Sequence, residues 1–231
     1  MLDLSTIPPL ANGSHAKPED GMCIMEAVAF IAREPWSDHP ECVCPVIAAF
    51  LRVWNDALPG DERNALLRPL IPSLIGTRGS KALAHRRAVL SADWLIRVYT
   101  PTWLRLAKLN EQADALASLP EIIDFAQCPS IMPALLATRD GASAARAAAW
   151  DAAWDAARAA TGAAARAAAG TAAGAAARAA ARAATGAAAW DAAGTAAWDA
   201  ARAALRPTRL DLQQSALRLV ERMIAATDDG R

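Results

Sequence analysis

The feature that most constrains the fold is a long alanine-rich tract, residues 140–206, in which a four-residue pattern repeats without a break. Every fourth position from Arg146 to Arg206 holds Arg, Trp or Gly, and most residues between them are alanine. Because alanine has the highest helix propensity, the pattern predicts helix despite the glycines. A four-residue step overshoots one helical turn by about 40°, so the marked positions wind around the helix. A heptad coiled coil is therefore disfavoured.

The end of the chain indicates how this tract folds. Residues 207–231 contain an amphipathic helix whose apolar face needs cover, formed by Leu210, Leu217, Val220, Met223 and Ile224. One straight helix over the tract would span roughly 100 Å and would carry this face away from any core. Glycine permits a chain reversal, and Gly170 and Gly174 lie near the middle of the tract. We therefore predict a hairpin that returns the C-terminal helix to the domain, with a single long helix as the alternative.

Ahead of the tract, residues 20–139 have the pattern of short helices that prolines separate. Pro45 stands at a first-turn position, and Pro59 ends that helix. The next helix is predicted to start at a capping Asp61 and to break at Pro69 and Pro72. The strongest amphipathic helix follows, with a predicted buried side of Leu83, Leu90, Trp94, Leu95 and Val98. Four tryptophans are predicted to anchor the core, namely Trp36, Trp54, Trp94 and Trp103.

No segment shows the alternating pattern of strands, so the predicted class is all-α. The predicted organisation is a loose leader at 1–19, a compact helical domain at 20–139, the alanine-rich tract at 140–206, and a C-terminal helix and tail at 207–231.

Charge and composition exclude some classes of function. Lys plus Arg number 24 and Asp plus Glu number 24, so the net charge is zero and nucleic-acid binding is not expected. No apolar run reaches the length of a membrane span. Four cysteines without an export signal are typical of reduced thiols, which indicates the cytoplasm.

A group of soft ligands follows the first predicted helix. Cys23, His39, Cys42 and Cys44 could together supply the tetrahedral ligands of a zinc ion, although their spacing lacks the usual paired cysteines. Two alternatives stay open. The segment is a proline-bounded turn with buried cysteines, or Cys42 or Cys44 is a nucleophile beside His39.

The block "MCIMEAVAFIAREPWSDHPECVCPVIAAFLRVWND", followed by "LIPSLIGT" and "DWLIRVYTPTWL", resembles a recurrent family of bacterial and phage proteins. The resemblance runs from about Met22 to Leu106. Members share the positions of Cys23 and Glu26 and often have glycine where Arg33 stands here. The resemblance implies no activity and no catalytic residue.

Two functions follow from the sequence. The first is a non-enzymatic helical interaction or scaffold protein with an unknown protein partner, in which Trp150, Trp154, Trp190 and Trp198 of the tract are candidate contact residues. Self-association is compatible with this function, and so is a tract that is only a duplicated spacer. The second is a zinc-binding module or a metal-dependent enzyme that uses the Cys/His set.

Overall fold

The structure is a computed structural model that describes residues 4–144 and 203–228. The prediction of an all-α fold is confirmed, since these two ranges contain helices and no strand. The α-helices are α1 (Ile24–Ala32), α2 (Pro45–Ala57), α3 (Gly60–Leu67), α4 (Ile71–Leu74), α5 (Lys81–Trp94), α6 (Thr100–Leu106) and α7 (Asn110–Ala117), followed by α8 (128–144) and α9 (203–225). Short 3₁₀ helices occur at Leu4–Thr6, Pro18–Asp20, Arg68–Leu70 and Phe125–Gln127, and a π-helix at Leu95–Tyr99.

The chain forms two compact units. Of the described residues, unit 1 comprises 4–99, 118–130 and 213–228, and unit 2 comprises 100–117, 131–144 and 203–212. In unit 2, α6 packs on α7, and Arg105 pairs with Asp114 at 2.7 Å. The predicted hairpin lies outside the described residues, and the domain boundaries built on the tract stay predictions.

Prolines set the helix ends much as the sequence predicts. Pro45 opens α2, and the chain leaves the helix before Pro59. Pro69 and Pro72 interrupt the next segment, which becomes α3, a 3₁₀ turn and α4. The predicted cap at Asp61 is wrong. The extended backbone of Pro59 leads into the helix one residue earlier, so that α3 begins at Gly60 and Asp61 lies in its first turn.

Helix α1 ends in a backbone conformation that is unusual for its residue. Arg33 closes the helix with φ 59° and ψ 35°, in the left-handed region, and its N–H bonds to the carbonyls of Ala29 and Phe30. Glycine is the usual residue at such a helix end, because a side chain beyond hydrogen strains this conformation.

We expect Arg33→Gly to raise the free energy of unfolding by roughly 1 kcal/mol, because it removes the left-handed strain. Urea unfolding of the two proteins measures the difference. Arg33→Ala is the control, since alanine keeps the strain and should gain little. A glycine variant no more stable than the alanine variant would contradict the explanation.

The buried side of α5 differs from its prediction. Leu83 is buried and Leu90 and Trp94 are half-buried, but Leu95 and Val98 are exposed. The α-helix gives way to the π-helix after Trp94, which changes the angle between successive side chains. Pro101 supplies a reason, because its ring crowds the carbonyl of the residue four positions before it and it has no N–H to donate.

The core of unit 1 joins the first helices of the chain to its last one. Side chains from α1, α2, α4 and α9 form one buried cluster, which includes Ile24, Met25, Ile47, Leu51, Ile71, Leu74, Leu219, Val220 and Met223. The C-terminal helix therefore packs in the domain core, as predicted. In its predicted apolar face, Val220 and Met223 are buried, and Leu217 and Ile224 are partly buried against the core. Leu210 is the exception, at 40% exposed.

Residues 4–19 are not the loose leader that was predicted. Ile7 and Leu10 are buried in the core of unit 1. The guanidinium of Arg68 donates to the carbonyls of Leu4, Ile7 and Pro8, and Arg63 donates to that of Leu10. These contacts hold residues 4–10 against α3 and the 3₁₀ turn that follows it.

The four tryptophans that were predicted to anchor the core are half-buried instead of fully buried. Trp36, Trp54 and Trp94 are half-buried and pack against the cluster of unit 1, and Trp103 of unit 2 is also half-buried. An indole at this position can bury its ring while its N–H finds an acceptor. The Nε1 of Trp94 donates to Oγ of Ser215 at 2.8 Å, which ties α5 to α9.

Candidate functional site

The structure does not assemble the four predicted zinc ligands. Cys23 and Cys44 are buried in the core, whereas His39 is exposed, with its Nδ1 at 2.6 Å from Oδ1 of Asp38. Within the described ranges, no three His, Cys, Asp or Glu side chains are grouped closely enough to hold a metal ion. His39, Cys42 and Cys44 are close in the sequence, but closeness in the sequence does not direct their side chains to one centre.

Cys42 does not have the surroundings of a reactive nucleophile. Its N–H donates to Oε1 of Glu34 at 2.8 Å, and the thiol is half-buried beside this carboxylate. Burial, followed by the contact with Glu34, raises the pKa of the Cys42 thiol. A raised pKa lowers the fraction of thiolate, which is the reactive form.

Glu26 is the centre of a buried polar cluster that includes His15 and Cys23. Its side chain is 1% exposed, and its carboxylate accepts from the N–H of His15 at 2.5 Å and of Cys23 at 2.7 Å. The Nδ1 of His15 lies 2.8 Å from Oε2 of the same carboxylate. Trp36 Nε1 in turn donates to the carbonyl of His15 at 2.7 Å. The cluster fixes residues 12–21 to the start of α1.

The thiol of Cys23 takes part in this cluster as a helix cap. Its Sγ accepts from the N–H of Glu26, and with the reciprocal bond from Cys23 N–H to the Glu26 carboxylate it forms a capping box. Burial raises the pKa of the Cys23 thiol to about 12, and the nearby Glu26 charge adds to the effect. The thiol is therefore protonated at neutral pH. This geometry favours a structural role for Cys23 and Glu26, whose three-residue spacing is that of a capping box.

Two buried arginines hold carbonyl groups at helix ends. Arg63 donates to the carbonyls of Asn55, Leu58 and Leu10, and so closes the C-terminal end of α2. Arg87 is 2% exposed and donates to the carbonyls of Thr77, Met223 and Ala226, the last two at the end of α9. His85, on the same helix, is exposed, and its ring lies edge-on to that of Phe125 with 5.2 Å between the ring centroids.

A row of aromatic side chains crosses the surface of unit 1 from α2 to the π-helix. Phe50 lies 6.0 Å from Trp54 and 5.9 Å from Trp94, and Trp94 lies 5.3 Å from Tyr99, between ring centroids. The first three residues are half-buried, and Tyr99 is exposed. We call these four residues the aromatic strip.

Exposed aliphatic residues border the aromatic strip. Val53 of α2 is 73% exposed, and Leu95 and Val98 of the π-helix are 48% and 39% exposed. On the same outward face of α2, Ala49 and Ala57 are also exposed. Exposed apolar side chains on the same segments as aromatic rings are typical of a site that another molecule covers.

A second apolar surface of unit 1 is a groove of about 390 Å³ between α3, α4 and α9. Its walls are Ala65, Leu66, Pro69, Leu70, Ser73, Leu217, Glu221, Ile224 and Ala225. The carboxylate of Glu221 is the charged group of this lining. The lining of this groove contains no aromatic residue.

The predicted contact residues Trp150, Trp154, Trp190 and Trp198 lie outside the described residues.

In the ranges that the structure describes, no helix has both the length and the apolar character to span a membrane.

Comparison with known proteins leaves the family of this chain a prediction. The resemblance from Met22 to Leu106 rests on the sequence blocks alone. No protein-family model, no curated protein and no solved structure matches this chain.

Proposed function

We propose that this chain is a helical interaction protein that binds a protein partner through the aromatic strip. The observation that carries the proposal is the contact of the half-buried rings of Phe50, Trp54 and Trp94 across two helical segments. Val53 and Tyr99 of the same two segments are exposed. Tryptophan and tyrosine supply large, rigid contact areas and are enriched among the residues that dominate binding energy.

The buried polar groups of unit 1 support this function over a catalytic one. Glu26, Arg63 and Arg87 are all engaged in bonds that fasten one segment of the chain to another. The Cys23 thiol is engaged in the same way and is kept protonated. Each of these groups already has a structural role, whereas the aromatic strip is a surface that another molecule can cover.

The four cysteines also support the cytoplasm as the proposed location. Cys23, Cys42, Cys44 and Cys128 are free thiols. Unpaired cysteines are the usual condition in a reducing compartment.

The test compares two variants with the same change at equally exposed positions. Val53 borders the strip and is 73% exposed, while Ile123 is 74% exposed and lies outside it. We expect a protein captured from the producing cells by the wild type to be retained by Ile123→Glu and lost by Val53→Glu, because a carboxylate would be buried without a partner in the interface. Equal capture by all three proteins would contradict the proposal.

A further inference from the structure

An asparagine–glycine pair, Asn12 and Gly13, lies in the segment between the first two 3₁₀ helices of the chain. Gly13 has φ 79°, in the left-handed region, and a Cβ built on it would have no atom within 4 Å. The side chain of Asn12 is exposed and forms no hydrogen bond with the described residues. The Asn12 amide can therefore turn toward the backbone nitrogen of Gly13.

Such a pair has the chemistry of spontaneous deamidation. After the N–H of Gly13 has given its proton to a base in the solvent, the nitrogen attacks Cγ of Asn12. A C–N bond forms, the Cγ–Nδ2 bond breaks, and ammonia leaves with a proton from the solvent. Water then opens the cyclic imide at one of its two carbonyls, which gives either an aspartate or an isoaspartyl link at position 12. Of the four asparagines in the chain, Asn12 alone precedes glycine, which has no side chain to hinder the attack.

The carboxylate of Asp56 opposes the first step of this reaction. Its Oδ1 accepts the N–H of Gly13 at 2.7 Å, and Nδ2 of Asn55 donates to the same oxygen at 3.0 Å. The bond holds the proton that must leave, and the carboxylate would lie next to the negative charge that forms on the nitrogen. Asp56 is exposed in the last turn of α2, where a carboxylate does not stabilise the helix, so it can be replaced without loss of the fold.

Both flanks of the pair are fixed to other parts of unit 1. The N–H of Ala11 donates to the carbonyl of Met22 at 2.8 Å, and the carbonyl of Ala11 accepts from Nδ2 of Asn55 at 2.8 Å. On the other side, the N–H of His15 donates to the carboxylate of Glu26 at 2.5 Å. An isoaspartyl link lengthens the main chain by one carbon between these anchors, so the two flanks no longer fit their partners together.

We propose that Asn12 is a self-modification site, that Asp56 restrains its deamidation, and that the isoaspartyl product loosens residues 11–15 from the cluster around Glu26. The co-reactant is water and the leaving group is ammonia, so no second protein is needed. The proposal is independent of the aromatic strip and of the function proposed for it.

Mass spectrometry of the full-length protein tests the site. Trypsin releases residues 1–33 as one peptide, because it does not cleave between Lys17 and Pro18, and Asn12 is the one Asn or Gln in that peptide. During incubation in mildly alkaline buffer, we expect this peptide to gain one mass unit, and Asp56→Ala to raise the rate by roughly three- to tenfold. Asp61→Ala, which removes another exposed carboxylate, should keep the wild-type rate, and Asn12→Gln should show no gain.

Each part of the proposal has a result that would overturn it. A peptide of unchanged mass in both the wild type and Asp56→Ala would overturn the site, and equal rates in these two proteins would overturn the restraint by Asp56. The isoaspartyl form, separated by chromatography, should be labelled at Cys23 by a thiol reagent at least about threefold faster than fresh protein. Asn12→Asp has the new charge with a normal main chain and is the matched control. An isoaspartyl form that is labelled no faster than Asn12→Asp would overturn the loosening of residues 11–15.

Discussion

Replacing Arg87 with alanine is expected to lower the free energy of unfolding by about 3–5 kcal/mol. The guanidinium donates to three carbonyls, those of Thr77, Met223 and Ala226, and the alanine variant leaves them buried without a donor. The side chain also ties α5 to the end of α9, so its loss should loosen the C-terminal helix first. Urea unfolding measures the loss, and hydrogen exchange of residues 213–226 locates it.

Two variants make this prediction specific. Arg86→Ala is the control, because Arg86 is half-buried and its guanidinium reaches the exposed carbonyl of Thr227 at 3.4 Å; it should cost about 1 kcal/mol or less. Arg87→Lys should recover only part of the stability, since one ammonium cannot reproduce the spread of the guanidinium donors. An alanine variant at position 87 as stable as that at position 86 would show that α9 does not depend on this contact.

Glu26→Gln is expected to lower the free energy of unfolding by about 2–4 kcal/mol. The amide has nearly the shape of the carboxylate, but its NH₂ group would face the donors of His15 or Cys23. The variant therefore separates the loss of charge and acceptors from the loss of packing. Urea unfolding and the rate at which a thiol reagent labels Cys23 should change together, because the cap and the segment at 12–21 share this carboxylate.

Glu34→Gln is the matched control for the change at Glu26. Glu34 also accepts two backbone N–H groups, those of Glu41 and Cys42, but it is only half-buried. We expect Glu34→Gln to lower the free energy of unfolding by less than half as much as Glu26→Gln does. The rate at which the thiol reagent labels Cys23 should stay unchanged. If the two variants lost similar amounts of unfolding free energy, the burial of Glu26 would not increase its contribution to stability.

Local signals account for the parts of the fold that the sequence predicts well. Pro45 and Pro59 bracket α2, and the helical spacing between them is regular, so both its existence and its ends follow from the sequence. The packing of α9 follows from a leftover apolar face that must be buried, and Val220 and Met223 are buried as expected.

Contacts between distant parts of the chain account for what the sequence misses. Ile7 and Leu10 are isolated apolar residues in a segment rich in Pro and Gly, and only the folded core shows where they pack. Nothing near Arg87 in the sequence indicates that the end of α9, more than a hundred residues away, lies over it. The Cys/His set shows the opposite error, because residues that are close in the sequence were predicted to share a metal site and do not.

The sequence does not predict the aromatic strip, although it contains each of the four residues. It does not indicate that their rings meet in one row. Trp54 and Trp94 were predicted to be core anchors, because a large ring on a helix is most often buried. Their half-exposed position depends on how α2 meets α5 and on the π-helix that follows, and neither can be derived from periodicity alone. Pro101 is the one local signal in the sequence that indicates an interrupted helix after Trp94.

The most direct test of the central claim is the dissociation constant of the captured partner, measured by calorimetry with the wild type, Val53→Glu and Ile123→Glu. Val53 and Ile123 are 73% and 74% exposed, so solvation of the new charge in the free protein is closely matched. We predict at least about tenfold weaker binding for Val53→Glu and a change within about twofold for Ile123→Glu. Equal affinities for the two variants would contradict the claim that the aromatic strip is the binding surface.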